Sequence, residues 1–192
     1  MFQNGDELNK PAILKNKHYF EPSVFRPQNL LKESRRQNKI PECNVPGICI
    51  LDPDGDFVDW LKKEGRASKN KCWACYHSEL YSFELDNTEI GIIPCAVGAP
   101  YAVLVAEQLF VSGCELLISI TSAGIISEKQ VTKKFALITE AIRDEGTSYH
   151  YLPPDETSGL PEILLESLRS GNENSGTVFF ETKSWTTDAP YR

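Results

Sequence analysis

No stretch of the chain approaches the run of about 20 apolar residues that crosses a bilayer. The N-terminal MFQNGDELNK has neither the basic nor the apolar region of a secretory signal. A membrane span and an export leader are therefore not expected, and the expected setting is soluble and cytoplasmic. Positive charge is also in deficit: 20 Lys and Arg stand against 27 Asp and Glu, for a net charge of −7 and a pI near 5.1. So acidic a chain is unsuited to non-specific nucleic-acid binding, whereas work on small molecules stays open. Internal repeats and low-complexity tracts are absent, and 192 residues suffice for one domain with a real core.

Complete metal motifs are missing as well. Cys72-Trp73-Ala74-Cys75 has the spacing of a zinc half-site or a redox pair, but no second Cys-x-x-Cys and no His pair accompanies it. His77 then reads as an ordinary surface or core histidine, and no metal is expected. Asp52-Pro53-Asp54-Gly55-Asp56 offers carboxylates without the spacing or distal Glu of a calcium loop. It reads as a turn capping a helix over Phe57–Glu64, stopped by Gly65. Of the six cysteines, Cys43, Cys49, Cys95 and Cys114 are scattered, and the last three lie in or beside apolar runs. Buried free thiols account for them better than disulfides do.

What the chain does contain is centred on Ile90–Ile126. Ile90–Ile93 and Leu116–Ile120 are apolar runs of strand length. Between them Gly98-Ala99-Pro100 opens a helix that runs to Ser112, is apolar on most faces and stops at Gly113. Two buried strands joined by a buried helix imply parallel pairing with a right-handed crossover. Ligands of open α/β sheets bind beyond the carboxyl ends of the strands, which is where Thr121-Ser122-Ala123-Gly124 falls. Small side chains there admit a ligand to the backbone, and hydroxyl and N–H groups can donate to an oxyanion or a sugar. The bland alternative is a turn.

The remaining segments build around this unit. Residues 1–40 form a polar arm that packs over the domain or reaches a neighbouring subunit, with a short helix starting at Pro27. Lys32, Arg35, Arg36 and Lys39 give that helix a basic, solvated face. Val45–Leu51 reads as the first core strand, Cys72–Leu85 as a half-buried strand, and Asp86-Asn87 as the hairpin turn into Thr88–Ile93. Phe135–Thr139 is another strand, leading into AIRDEGTSYHYLPP, which gathers a cation, two carboxylates, a histidine and two tyrosines. Its position after a strand favours a site wall, against a solvated loop in which Arg143 pairs with Asp144 or Glu145. A helix over Pro161–Arg169 stopped at Gly171, a polar loop Gly171–Gly176, a strand Thr177–Lys183 and a strand-end loop Ser184–Arg192 complete the chain.

Taken in order, Val97-Gly98-Ala99-Pro100 through Gly113, then ITSAG, then AIRDEGTSYHYLPP, then TTDAPYR resemble the nucleoside phosphorylase and nucleosidase superfamily, most closely its uridine phosphorylase-related branch. The similarity runs from about Val45 to the end, and AIRDEGTSYHYLPP is its most specific piece. It implies a three-layer α/β/α sandwich around a mixed, partly barrel-like sheet, with residues 1–40 as an arm and 41–192 as the domain. It also implies dimers or hexamers with sites near subunit contacts, and cleavage of a nucleoside N-glycosidic bond by phosphate, or by water in the nucleosidases. Thr121, Ser122, Gly124 and Gly98 would then border phosphate and ribose. Asp188, Pro190, Tyr191 and Arg192 would approach the base. Phosphate is the implied co-substrate, and no cofactor is.

Such phosphorylases carry an arginine after a Gly-Asp-Pro turn and another just before the Gly-Thr loop. Here the turn is Leu51-Asp52-Pro53-Asp54-Gly55, and Ser119 holds the second position, while a third cationic position falls at Ser78. Phosphate bound without Arg or Lys lacks its strongest hydrogen bonds. Arg143 is the cation in a motif loop that could substitute, with Asp144 and Glu145 as further candidates for charge control. The family's Glu-Met-Glu ribose segment would lie beyond Arg192, as would a strand and a terminal helix. That implies a fragment, a naturally short relative or a covering partner, with sheet edge and apolar surface exposed. Phosphorolysis, hydrolysis and a catalytically inactive binding role are the three functional readings.

Overall fold

The computed structural model describes residues 10–126, 135–175 and 179–192. They form two compact units, Pro22–Gly124 and the described residues within Met1–Glu21 and Ile125–Arg192.

In the first unit, α1 (Pro27–Asn38) precedes β1 (Ile48–Asp52), α2 (Asp56–Lys63), β2 (Ser68–Lys69), β3 (Tyr81–Leu85), β4 (Thr88–Pro94), α3 (Ala99–Val111) and β5 (Leu116–Ser119). The five strands form one mixed sheet in the order β2-β3-β4-β1-β5. β1 runs parallel to both β4 and β5, whereas β3 pairs antiparallel with β2 and β4. Alternation along β1 serves the two faces in turn. Cys49 and Leu51 join Ile93, Val105 and Leu109 under α3, while Ile50 joins Ile90, Ile92, Val58 and Leu61 under α2. Helices thus cover both faces, giving three α/β/α layers. Each fully buried Leu, Ile or Val contributes roughly 1.5–3 kcal/mol to holding them together. The described strands form an open sheet, with β2 and β5 at its edges.

Several expectations are corrected. β4 and β5 are parallel, as their apolar runs imply, but they are not neighbours: β1 lies between them, Leu51 pairing with Ile93 on one side and Ser119 on the other. The ICILD run of β1 is apolar on both faces and takes the middle of the three parallel strands, where it is buried on both sides. β5 is an edge strand, and Leu116 and Ile118 are each 40% exposed. α3 is covered along one stripe, Val105, Gln108 and Leu109, while Leu104, Phe110 and Val111 are exposed.

Over Cys72–Leu85 only Tyr81–Leu85 is strand. The preceding residues form a loop, with Trp73 Nε1 donating to Ser78 O at 3.1 Å and Cys72 N donating to Asn70 Oδ1 at 2.9 Å. Cys43 is not a free thiol: it is joined to Cys72, with S–S 2.06 Å. The two are 29 residues apart, so local spacing carries no sign of the pair. The Arg35 guanidinium gathers both segments by donating to the carbonyls of Pro41, Cys72 and Cys43. Cys49 and Cys114 are buried free thiols as expected, whereas Cys95, at the end of β4, is exposed.

One turn and one strand position explain their residues. Asp86 and Asn87 both take positive φ, 48° and 61°, as the tight β3–β4 hairpin requires. Gly91 sits opposite Cys49 in the sheet, and a Cβ there would lie 2.6 Å from Cys49 Sγ.

The second unit has β6 (Phe135–Asp144), β7 (Thr157–Gly159), α4 (Glu162–Ser175) and β8 (Phe179–Thr187). β6 is central, antiparallel to β7 and parallel to β8, with an irregularity at Thr139 between the pairs Ile138↔Thr182 and Glu140↔Lys183. Elements here run longer than local composition indicates. β6 continues through Ala141–Asp144, so Arg143 and Asp144 are strand residues and not loop residues, and β8 includes Ser184–Thr187. α4 passes through Gly171 rather than stopping there, because that glycine does not take the left-handed conformation of a helix stop. Gly176, Thr177 and Val178, expected in the polar loop and the next strand, lie outside the described residues.

Candidate active site

The three parallel strands of the first unit deliver three loops at their carboxyl ends. After β1, the Asp52 carboxylate is buried and takes Gly55 N at 3.1 Å and Val58 N at 2.9 Å, closing the turn and satisfying the first turn of α2. Cys95 N, after β4, donates to Asp52 O at 2.7 Å, and Ile120 N, after β5, donates to Leu51 O at 2.9 Å. Gly98 opens α3 with φ 89° and nothing within 4 Å of a Cβ placed on it. Beyond β5, Thr121, Ser122 and Gly124 are exposed, and a Cβ on Gly124 would also meet nothing within 4 Å. The small-residue loop is therefore open to a ligand.

One neighbour of that loop carries no sequence signal of a site residue. Asp54 Oδ2 accepts Ser122 N–H at 2.6 Å, and both its oxygens lie 3.4 Å from Thr121 Oγ1. The Ser122 N–H beside it, with the Ser122 and Thr121 hydroxyls, holds its carboxyl below the ordinary value of 3.8. By sequence its carboxylate reads only as part of a turn, since the partner lies 68 positions away. Ser119 and Ser78 supply no positive charge, and among the described residues no Lys or Arg forms an ion pair with Asp54.

The motif loop and the chain end belong to the second unit. Arg143 is 6% exposed and its guanidinium faces its own loop: Nε donates to Ser148 Oγ at 2.9 Å, Nη1 to Pro153 O at 2.7 Å and Nη2 to Leu152 O at 3.2 Å. The Tyr149 ring packs 4.6 Å from the guanidinium, and its hydroxyl donates to Arg143 O. Asp144 accepts from Trp185 Nε1 at 3.0 Å and Glu145 from Ser148 N, so neither forms the ion pair with Arg143 expected of a solvated loop. Burial pushes the Glu145 carboxyl up, but the Ser148 hydroxyl, the Ser148 and Thr147 N–H groups and Arg143 together bring it below its ordinary value.

Asp188 joins the chain end to this loop, accepting Gly146 N at 2.8 Å. Pro190, Tyr191 and Arg192 are exposed. The arm packs here too: the 3-10 turn Ala12–Leu14 puts Ile13 beside Gly146, and Lys17 Nζ lies 2.6 Å from His150 Nδ1. Thus Arg143, Asp144, Glu145 and Asp188 are brought together in one unit, while Gly98, Thr121, Ser122 and Gly124 stand in the other. Cys72, being disulfide-bonded, cannot supply a thiolate to a metal. Among the described residues no group of three or more His, Cys, Asp or Glu could hold a metal ion.

Residues 48–192 match the family model of the phosphorylase superfamily. The chain belongs to the phosphorylase superfamily. Solved structures of similar fold include uridine phosphorylase from Vibrio fischeri ES114, at 21% identity and a TM-score of 0.62, covering 77% of this chain and 62% of that one. The same enzyme complexed with 6-hydroxy-1-naphthoic acid gives 19% identity and a TM-score of 0.65, over 82% of this chain and 67% of that one. Purine nucleoside phosphorylase from Toxoplasma gondii in complex with immucillin-H gives 15% identity and a TM-score of 0.62, over 78% and 60%. The chain spans less than two thirds of the length of the first of these, and no curated protein matches it. The mixed sheet between helical layers is the fold that this superfamily membership implies. No described helix is long and apolar enough to cross a membrane.

Proposed function

We propose that this phosphorylase-superfamily chain serves cleavage of the N-glycosidic bond of a nucleoside by phosphate, giving free base and pentose 1-phosphate. The observation that carries the reading is the exposed Thr121–Gly124 loop at the carboxyl end of β5, where hydroxyl donors and an unobstructed glycine stand beside the turn that follows β1. Cleavage passes through a cationic sugar, so the nucleophile must be delivered on one side while the departing base is protonated or hydrogen-bonded on the other. Thr121, Ser122, Gly124 and Gly98 take the phosphate and ribose side. Asp188, Pro190, Tyr191 and Arg192 take the base side. Arg143 positions the motif loop instead of touching substrate, and Asp144 and Glu145 hold the same loop. Uridine-type nucleosides are the preferred substrates, because the motifs resemble the uridine phosphorylase-related branch and one enzyme of similar fold is a uridine phosphorylase.

The reading includes no cofactor beyond phosphate as co-substrate, no nucleic-acid or membrane partner, and assembly as a homo-oligomer. A cytoplasmic setting completes it. That setting requires Cys43 and Cys72 to be reduced in cells, against the bridge in the structure, and a disulfide persisting there overturns it.

Hydrolysis by water is the second reading, favoured by the Asp54 carboxylate on the loop that phosphate would approach. Uridine incubated with the purified protein, with and without phosphate, separates the two. Uracil and ribose 1-phosphate formed only with phosphate support phosphorolysis, and uracil and ribose formed at a phosphate-independent rate overturn it in favour of hydrolysis. Thermal stabilisation by uridine without release of base identifies an inactive binding homologue.

A further inference from the structure

We propose that Asp54 is a specificity-determining residue: its carboxylate occupies the Thr121–Ser122 loop as an internal anion, and an anionic co-substrate must displace it to bind there. The inference rests on the reading of that loop as the nucleophile side of a nucleoside site. The contact is a charge-assisted one, Ser122 N–H to Asp54 Oδ2 at 2.6 Å, with Thr121 Oγ1 at 3.4 Å from both carboxylate oxygens.

The turn beneath Asp54 is held on three sides. Gly55 N donates to Asp52 O and Oδ1, Cys95 N donates to Asp52 O, and Gly55 takes φ 82° with its Cα against Cys95, where a Cβ would lie 3.0 Å from the sulfur. That turn fixes the backbone position from which the Asp54 carboxylate reaches the loop.

Two penalties then face a phosphate. The Ser122 N–H that would bind it already has a charged acceptor, and like charge repels it at contact distance without a Lys or Arg paired to Asp54 among the described residues. Asp54 stays ionised at neutral pH, since the Ser122 N–H holds its carboxyl below 3.8. A neutral water meets neither penalty and can donate to the same carboxylate. The residue therefore discriminates by charge and not by size. Ser119, the last residue of the strand leading into the loop, carries no positive charge to oppose that discrimination.

Inorganic phosphate titrated into the isotopically labelled 192-residue chain at constant ionic strength, with the Ser122 amide resonance followed, tests this. Asp54→Ala removes both the acceptor and the charge. Asp54→Asn removes the charge while keeping an oxygen for Ser122 N–H, and is informative even if the alanine variant does not fold. The expected result is weak saturation of the Ser122 shift in the native protein, as phosphate displaces the Asp54 carboxylate, and saturation at least tenfold tighter in both variants, with Asp54→Ala the tighter of the two. Equal phosphate affinity in all three proteins, or no binding in any, overturns the proposal. The titration needs no turnover. Failure to cleave any nucleoside would therefore refute the proposed function without altering the Ser122 readout, and an unchanged readout in an active enzyme would refute the role of Asp54 alone.

Discussion

The two compact units bury different things. In Pro22–Gly124 the sheet is closed over by aliphatic side chains on both faces, Val58, Leu61, Ile92, Ile93, Val105 and Leu109 among them, and its loops beyond the strands keep their small polar residues exposed. In the described part of the other unit Leu165 is the buried large aliphatic residue, and the buried polar groups are both charged: Arg143 and Glu145. The motif richest in chemically capable side chains is thus engaged with itself, while the plain Thr-Ser-Ala-Gly loop keeps its side chains exposed and gives one N–H to Asp54. Reactive residue types in a loop are evidence of a site only after their hydrogen bonds have been counted. A buried guanidinium without its carbonyl acceptors would be costly, and those acceptors are its own loop.

The largest effect should come from emptying the polar core. Arg143→Ala leaves the carbonyls of Leu152 and Pro153 and the Ser148 hydroxyl without their donor. A loss on the order of 3 kcal/mol is expected in urea unfolding. Arg143→Lys should recover little of it, because one ammonium cannot reproduce the fork. An Arg143→Ala protein as stable as the parent would make this residue a candidate ligand-binding cation again.

Next comes a pair of glycines within the first unit. Gly91→Ala forces a methyl to within 2.6 Å of Cys49 Sγ and should cost about 1–3 kcal/mol, whereas Gly124→Ala meets nothing within 4 Å and should stay within about 0.5 kcal/mol of the parent. Equal effects at the two positions would erase the distinction between packed sheet and open loop.

A smaller effect distinguishes the units by pH. The Glu145 carboxyl lies below its ordinary 4.5 in the folded chain, so its contribution is fully present above that value and disappears as pH falls through the folded one. Unfolding midpoints of Glu145→Gln should therefore decline less between pH 7 and strongly acid conditions than those of the parent. Parallel declines would mean that Glu145 titrates alike in both states. The smallest stability change is expected at Ser122→Ala, within about 0.5 kcal/mol, since its side chain is exposed. Nucleoside cleavage by the same variant should fall. Unchanged turnover would remove the Ser122 hydroxyl from the site.

Much of this organisation is legible in the order and types of the residues alone. Apolar runs mark β1, β4 and β5, Pro27 and Gly98-Ala99-Pro100 mark the starts of α1 and α3, and Asp86-Asn87 marks the hairpin, because periodicity, missing N–H groups and positive φ are local properties. The order of motifs likewise points to the superfamily that residues 48–192 match. Contacts between distant positions are not legible in this way. The insertion of β1 between β4 and β5, the Cys43–Cys72 bridge and the folding of Arg143 onto Leu152 and Pro153 all depend on which segments meet.

The Ile90–Ile126 stretch shows the division most clearly. Its composition determined two strands, a helix and a small-residue loop beyond a strand end. Packing determined that β5 lies at an edge and that a carboxylate 68 residues upstream holds the Ser122 N–H. A hydrogen bond of that range is set by the way two strand ends are brought side by side, and no local pattern of residue types encodes it.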